Sequence, residues 1–217
     1  MRIFENYHKV YLYIEPLVDG EPDEQKRYHI SNLLCFLENY LNITTNQYIR
    51  VKQNYKTLFK LKDNKKELHH KMNIMFGDIH FMLISMEKAY SLSIRMLEIL
   101  GRPDTANMIR SSESYKIVKF FRNNLEHMND KLTVEDYKYR ESWYSNEYHS
   151  HWFARQWESM HGNAIKLGPY SFEIDESSFE FLWDLYDQIF KIITDEYIIP
   201  NKVNVDLAFK GHTPSQW

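Results

Sequence analysis

The sequence predicts an all-α fold, in which a helical bundle carries an aromatic-rich insertion and a small β-hairpin before its last helix. Two observations lead to this prediction. Apolar residues recur at spacings of three and four through most of the 217-residue chain, as in helices with one buried face. Two short runs around Gly168-Pro169 instead alternate apolar and polar residues, which is typical of hairpin strands. The length suits a single domain, residues 1–217.

The first half of the chain predicts three helices. Residues 23–41 carry apolar residues at helical spacing and follow turn-forming residues that include Pro22. A third, long and apolar helix is predicted from about 67 to 100, and Gly101-Arg102-Pro103 ends it. Between these two, a second helix is predicted around the apolar positions Tyr48, Val51, Tyr55, Leu58 and Phe59.

Three further elements are predicted in the second half. A helix opens at Ser112 or Ser114, and its apolar face comprises Ile117, Phe121, Leu125, Met128 and Leu132. The alternating runs Ile165/Leu167 and Tyr170/Phe172/Ile174 predict the hairpin. Ser177 and Glu180 have the spacing of a capping box, so we expect the last helix to begin there and to stop at Pro200.

The chain carries a small net negative charge but contains one positively charged segment. A formal net charge of -3 argues against a protein that coats nucleic acid through bulk electrostatics. Between Arg50 and Lys71, however, eight lysines and arginines face only Asp63 and Glu67. A solvated helix face is the simpler interpretation of this segment. Any contact with nucleic acid would therefore be local.

Features of a secreted or membrane protein are missing from the sequence. The single cysteine, Cys35, lies in an apolar run and has no partner for a disulfide, which favours a reducing, cytoplasmic setting. The N-terminal residues do not combine a basic segment with an apolar one, and no run of about 18 apolar residues occurs. We expect neither a secretion signal nor a membrane span.

The run Arg122-Asn123-Asn124-Leu125-Glu126-His127 places a permanent cation and a titratable imidazole on one predicted helix. Arginine offers a fork of donors to phosphate oxygens, and histidine exchanges protons near neutrality because its ordinary pKa is about 6.5. At about 100° per residue, the two side chains lie roughly 140° apart, on either side of the polar face. One helix does not bring them together, but two copies packed about a two-fold axis would. A catalytic site is therefore predicted at a homodimer interface.

This pair of residues suits RNA cleavage without a metal ion or other cofactor. The 2′-hydroxyl attacks the adjacent phosphate, a histidine moves the proton, and an arginine neutralises charge in the transition state. The expected products carry a cyclic phosphate and a free 5′-hydroxyl. A structural alternative stays open: Arg122 with Glu126, and Asn123 with His127, have the i,i+4 spacing of ordinary helix-surface pairs, worth roughly 0.2–0.5 kcal/mol each.

The run from Phe120 to Asp130 resembles the signature of the HEPN superfamily (higher eukaryotes and prokaryotes nucleotide-binding). That signature is an arginine, usually followed by a polar residue such as asparagine, and a histidine after four to six intervening residues. Arg122, Asn123 and His127 match it position by position. In the HEPN toxins paired with nucleotidyltransferase antitoxins, a tyrosine usually follows two residues after the histidine. Asn129 holds that position here, so the chain departs from that subgroup.

The resemblance implies a helical, commonly dimeric domain that is often a metal-independent endoribonuclease of toxin-antitoxin, abortive-infection or related antiviral defence systems. Residues 67–132 and 176–198 would form the HEPN-like core, and 133–175 the insertion with the hairpin. RNA would be the substrate, with His127 as general acid or base, Arg122 binding phosphate and Asn123 orienting the substrate or its neighbours. An antitoxin or another defence-system protein would be a partner. The alternative is a catalytically inactive HEPN-like module that binds a nucleotide, RNA or a protein.

Three other groups of residues have simpler structural explanations. Asp78 and His80 could support the site from the neighbouring helix, although an exposed or helix-capping role is the default. The aromatic insertion, which also contains Arg140 and Arg155, could stack unpaired bases or simply pack onto the bundle. A metal site is a weaker alternative for the insertion's histidines, because no cysteine accompanies them. Those histidines are His149, His151 and His161.

Overall fold

Helices dominate the computed structural model of the chain, as the sequence predicts. The structure describes residues 2–14, 24–61, 64–126, 164–167 and 170–202. The helices are α1 (Tyr7–Ile14), α2 (Glu24–Leu58), α3 (Lys65–Ile99), α4 (Pro103–Ser111), α5 (Glu113–Glu126) and α6 (Ser177–Ile193). The strands are β1 (Ala164–Leu167) and β2 (Tyr170–Glu173). A 3₁₀ turn, Phe59–Leu61, follows α2, and a π-helical turn, Thr194–Ile198, follows α6.

Helix α2 unites two helices that the apolar pattern predicts separately. It runs for 35 residues and includes both the predicted helix 23–41 and the one around Tyr48. No glycine or proline interrupts the sequence from Glu24 to Leu58, so nothing local forces a break. Thr44 and Thr45 are buried within it. The predicted end at residue 41 is therefore wrong, because packing carries the helix through a β-branched stretch with weaker helix propensity.

Helix α3 and its C-terminal end match the prediction from the sequence. Gly101 has a φ of 73°, in the left-handed region that glycine adopts without strain. The N–H of Arg102 donates to the carbonyl of Leu97 at 2.7 Å, and the N–H of Gly101 donates to Glu98 at 3.1 Å. This is a Schellman motif, which satisfies the last carbonyls of the helix. Pro103 then takes the first position of α4, a short helix that was not predicted.

The N-terminal capping residues of α5 and α6 agree only in part with the sequence prediction. The Ser112 hydroxyl accepts a hydrogen bond from the N–H of Tyr115 at 3.3 Å, so the first of the two predicted starts of α5 is confirmed. At α6 the capping acceptor is Asp175, which receives the N–H of Ser178 at 3.3 Å, while Ser177 donates to that same carboxylate. The capping box predicted for Ser177 is therefore wrong.

Pro200 does not stop the last helix. The chain stays helical through Lys202 because the π-helical turn shifts the hydrogen bonds by one residue just before the proline. The N–H of Ile199 donates to the carbonyl of Thr194, and the side-chain amide of Asn201 donates to Tyr197 at 2.6 Å. These bonds accommodate a residue that has no N–H of its own.

The predicted hairpin is present between α5 and α6. Its strands are antiparallel, with Ile165 opposite Phe172 and Leu167 opposite Tyr170. Strand β2 contacts α5, where the rings of Phe172 and Phe121 lie 6.1 Å apart. The turn at Gly168-Pro169 and the aromatic part of the insertion lie outside the described residues.

The chain divides into two compact units. The first comprises Met1–Asn42, Lys88–Ile109 and Leu182–Trp217, and the second comprises Ile43–Glu87 and Arg110–Phe181. Each unit has its own buried apolar residues, such as Leu34 and Ile189 in the first and Leu83 and Phe121 in the second. The single domain over 1–217, and the HEPN-like core within it, stay predictions.

In the first unit, a buried carboxylate ties the N-terminal segment to α2 and α6. Glu38 is 3% exposed and accepts the backbone N–H of Tyr7 at 3.1 Å and the hydroxyl of Tyr186 at 2.5 Å. The amide of Asn6 donates to the same hydroxyl at 3.0 Å. Burial and the hydrogen bond to Glu38 raise the pKa of the Tyr186 hydroxyl. The neutral phenol is therefore part of the folded state.

Replacing Tyr186 with phenylalanine is expected to lower the free energy of unfolding by about 1–3 kcal/mol, because Glu38 loses a buried donor. The raised pKa also implies that this contribution is present below the ordinary tyrosine pKa of about 10 and is lost as pH rises above it. Urea unfolding of wild type and Tyr186→Phe from pH 7 to 11 measures both effects. The exposed Tyr28 supplies the control, Tyr28→Phe. Equal stability and equal alkaline loss in both variants would contradict the expectation.

Candidate functional site

The described part of the motif lies on the last turns of α5, in the second unit. Arg122 and Asn123 fall within the helix, and Glu126 is its last residue. His127 lies outside the described residues, as do Met128 and the rest of the predicted apolar face. The described part of the site therefore consists of Arg122 and the residues that contact it.

The Arg122 guanidinium is held by three oxygen atoms from two helices. Nη1 donates to Glu126 Oε2 at 2.7 Å and to Asn123 Oδ1 at 2.8 Å, while Nη2 donates to Glu87 Oε2 on α3 at 3.2 Å. The side chain is 19% exposed, and its Nε is buried with no acceptor among the described residues. Arg122 is thus a largely buried, ion-paired arginine in this single chain. The i,i+4 pair with Glu126 that the spacing predicts is confirmed.

Glu87 is the residue of this site that sequence reasoning missed. Its side chain is only 8% exposed, and a buried carboxylate is costly unless a cation and hydrogen bonds accompany it. The signal was available in the sequence: Glu87 is a lone acid among the apolar neighbours Met86, Ala89 and Tyr90 of a long helix. An acid in that position needs a partner from another element, although the sequence does not say which one.

Asn123 orients the arginine in this structure. Its side-chain oxygen accepts from Arg122, and the neighbouring Asn124 donates back to the carbonyl of Phe120 at 2.8 Å. Both asparagines are partly buried. The role of orienting neighbouring groups, which the resemblance allowed for Asn123, fits this contact. Direct orientation of a substrate stays a prediction.

A second imidazole, that of His80, lies close to the motif. His80 and Glu87 are seven residues apart on α3, so they share one face and are separated by about two turns. Burial lowers the pKa of the His80 imidazole, and the negative charge of Glu126 acts in the opposite direction. Its Nε2 atom is buried and has no hydrogen-bond partner in the described part of the chain. Burial thus favours the neutral form of His80, which lies near the middle of α3 and within electrostatic reach of Glu126 at the C-terminal end of α5.

Asp78 belongs to a different contact in the same unit. Its carboxylate pairs with Arg50 of α2 at 3.0 Å and accepts from the Asn54 amide at 3.3 Å. Burial raises the pKa of Asp78, and Arg50 offsets only part of that rise. The residue is neither exposed nor a helix cap, so the default prediction for it is wrong. The structure places it against α2, away from Arg122.

Neither a metal-binding cluster nor a membrane-spanning helix occurs in the described ranges. Among those residues, no cluster of three or more histidine, cysteine, aspartate or glutamate side chains has the geometry of a metal site. The histidines of the insertion lie outside these ranges, while His69 and His70 are exposed on α3. No helix in the described part of the chain is both long enough and apolar enough to cross a bilayer.

The two carboxylates that hold Arg122 are expected to contribute unequally to stability. A double-mutant cycle with Arg122→Ala and Glu87→Ala should give a coupling energy of about 1–3 kcal/mol, because that carboxylate is buried. The matched cycle with Glu126→Ala should give about 0.5 kcal/mol or less, as for a helix-surface pair. Urea unfolding at pH 7 supplies the free energies. A coupling to Glu126 as large as that to Glu87 would show that burial does not distinguish the two pairs.

His80 is expected to make the chain less stable in mild acid. Because its folded-state pKa is lowered, its neutral form contributes stability above the ordinary histidine pKa of about 6.5, and this contribution is lost as pH falls below that value. His80→Gln should therefore flatten the fall in unfolding free energy between pH 7.5 and 5. His70→Gln, at an exposed site on the same helix, is the control. The idea fails if both variants lose stability with the same pH dependence as wild type.

Comparison with known proteins adds no relative to this geometry: no protein-family model, no curated protein and no solved structure matches the chain.

Proposed function

We propose that this chain is a HEPN-like, metal-independent endoribonuclease that cleaves RNA at a composite site in a homodimer. Arg122 binds the scissile phosphate, Asn123 orients Arg122, and His127 transfers protons. The observation that supports the proposal best is the way Arg122 is held. One of its carboxylate partners is buried and lies on another helix, while the other is more exposed and lies on the same helix.

Glu87 is the fixed partner and Glu126 the exchangeable one. The Glu87 side chain is 8% exposed and lies on a different helix, so its pair with Arg122 is shielded from water. The Glu126 side chain is 34% exposed and forms an i,i+4 pair of the kind worth about 0.3–0.5 kcal/mol. A phosphate oxygen can therefore replace Glu126 on Nη1 at little cost while Glu87 keeps the guanidinium in place.

The proposed reaction combines the position of Arg122 with the intrinsic reactivity of RNA. The 2′-oxygen forms a bond to phosphorus as the bond from phosphorus to the 5′-oxygen breaks. A base removes the 2′-hydroxyl proton, an acid protonates the 5′-oxygen, and Arg122 neutralises the charge that builds up on the phosphate. His127 of the other protomer takes one of these proton-transfer roles. The products are a 2′,3′-cyclic phosphate and a 5′-hydroxyl.

A second candidate function is favoured by the same ion pairs. An arginine that is mostly buried between two carboxylates resembles a structural residue that fastens α5 to α3. On this view the chain is a catalytically inactive HEPN-like module that binds RNA, a nucleotide or a protein partner such as an antitoxin or another defence-system protein, as a superfamily scaffold can without catalysis.

The test is RNA cleavage by the purified chain in excess EDTA. Wild type should release cyclic-phosphate and 5′-hydroxyl ends, and His127→Ala and Arg122→Ala should each lower the rate by about 10²-fold or more. Glu126→Gln should raise the rate or lower KM, since it removes the competitor of the phosphate. Lys116→Ala removes an exposed charge from the same helix and His70→Ala an exposed imidazole, so both should cleave as wild type does.

Mixing the two inactive variants tests the composite site. If each site takes Arg122 from one protomer and His127 from the other, a heterodimer of Arg122→Ala and His127→Ala keeps one intact site and regains activity. No recovery in a mixture with demonstrated subunit exchange would place both residues in one protomer. If wild type and the double variant cleave no RNA and are equally harmless on overexpression, the enzymatic proposal is wrong. Loss of RNA binding in Arg122→Ala without any cleavage would then support the inactive module.

A further inference from the structure

Exposed lysines surround the junction between α2 and α3, in the same unit as Arg122. Lys56 lies on the last turn of α2, Lys60 in the 3₁₀ turn, and Lys65 and Lys66 on the first turn of α3. All four side chains are exposed, and we call this group the basic tip. The positively charged segment noted in the sequence is thus gathered at one end of two long helices.

The described residues around the basic tip do not neutralise its charge. None of its four lysines takes part in an ion pair with any described residue. The nearby Glu67 is engaged with Asn64 instead, which accepts its backbone N–H at 3.2 Å and donates to its carboxylate at 3.1 Å. An ordinary solvated surface mixes charges of both signs. Here the four positive charges have no counter-ion among the residues that the structure describes.

The separation of charge along the sequence is large. Residues Arg50 to Lys71 carry a formal charge of +6, and the whole chain carries -3, so the remaining residues carry -9. Such a field repels polyanions from most of the molecule and attracts them to one place. A local polyanion-binding surface fits this distribution, and a general coating of nucleic acid does not.

Helix α3 connects the basic tip to the residues that hold Arg122. Lys66, Asn73, His80 and Glu87 follow one another at intervals of seven residues and therefore lie along one side of the helix. At 1.5 Å per residue, Lys66 is about 21 Å from His80 and about 32 Å from Glu87 along the axis. Lys66 and Asn73 are exposed, His80 is half-buried, and Glu87 is buried by the contact with Arg122.

We infer that the basic tip binds the backbone of single-stranded RNA and guides it along this side of α3 to Arg122. The identity of the polyanion as RNA rests on the proposed function. The location of the surface rests on the exposed, uncompensated lysines and on the line of residues that leads from them to the site. Phosphate contacts of this kind position a substrate without reading its sequence.

The test measures binding of a fluorescent 20-nucleotide single-stranded RNA by full-length protein carrying His127→Ala, so that cleavage does not interfere. In that background, Lys60→Ala/Lys65→Ala/Lys66→Ala is compared with the charge-matched control Lys116→Ala/Lys191→Ala/Lys202→Ala. All six lysines are exposed on helical segments, so both triple variants should fold, which circular dichroism checks. Titrations run from 50 to 200 mM salt.

The basic-tip variant is expected to bind at least tenfold more weakly at 50 mM salt than the His127→Ala parent. Its plot of log K against log salt should be less steep by about 2, since each lost contact to a single strand contributes about 0.7. The control should change Kd by less than threefold. Equal weakening by the two triple variants, no RNA binding by the parent, or much tighter binding of single-stranded DNA of the same sequence would each overturn the inference.

The RNA-binding experiment and the nuclease assay test different proposals, and each can fail without the other. RNA binding through the basic tip without cleavage by wild type would leave this surface standing and remove the endoribonuclease proposal. If wild type cleaves RNA and the Lys60→Ala/Lys65→Ala/Lys66→Ala variant does so with the same KM, the endoribonuclease proposal stands and the basic-tip inference is wrong.

Discussion

The pairing of Glu87 with Arg122 is the contact on which the candidate site depends. A carboxylate buried to this degree needs a cation or hydrogen-bond donors to offset its lost hydration, and Arg122 supplies both to Glu87. The pair links α3 to α5 and fixes the direction of the guanidinium. The other groups of the site, Asn123 and Glu126 on α5, are arranged around that fixed direction. A phosphate ligand would meet an arginine that is already oriented.

The same constraint recurs at two other buried acids. Asp78 lies between Arg50 and Asn54 of α2, and Glu38 accepts from Tyr186 and from the N-terminal segment. In each case a buried carboxylate on a helix accepts hydrogen bonds from donors elsewhere in the chain. The three acids differ in their partners: a largely buried arginine for Glu87, an exposed arginine for Asp78 and uncharged donors for Glu38. The arginine paired with Glu87 is the one that the proposed function requires to exchange a carboxylate for a phosphate.

The charges around Arg122 differ from those at the basic tip. Around Arg122 the two carboxylates outnumber the one cation, which disfavours a stray anion until Glu126 is displaced. The lysines of the basic tip pair with no acid in the described part of the chain, so an approaching polyanion would meet them first. A strand held there has a high effective concentration at the motif, which helps it to replace a weakly held side chain. Attraction would then take place at the first turn of α3, and chemistry beside Glu87, about two thirds of the way along the same helix.

Local rules in the sequence determined much of the secondary structure and one contact of the site. Gly101 ends α3, Ser112 opens α5, the hairpin forms around Gly168-Pro169, and Arg122 pairs with Glu126, because each feature depends on residues only a few positions apart. Tertiary structure decided the rest: the unbroken α2, the helical residues beyond Pro200, and the partners of Asp78 and Glu87. Those features depend on which residues, distant in the sequence, contact a buried group. The periodicity of the sequence does not specify these contacts.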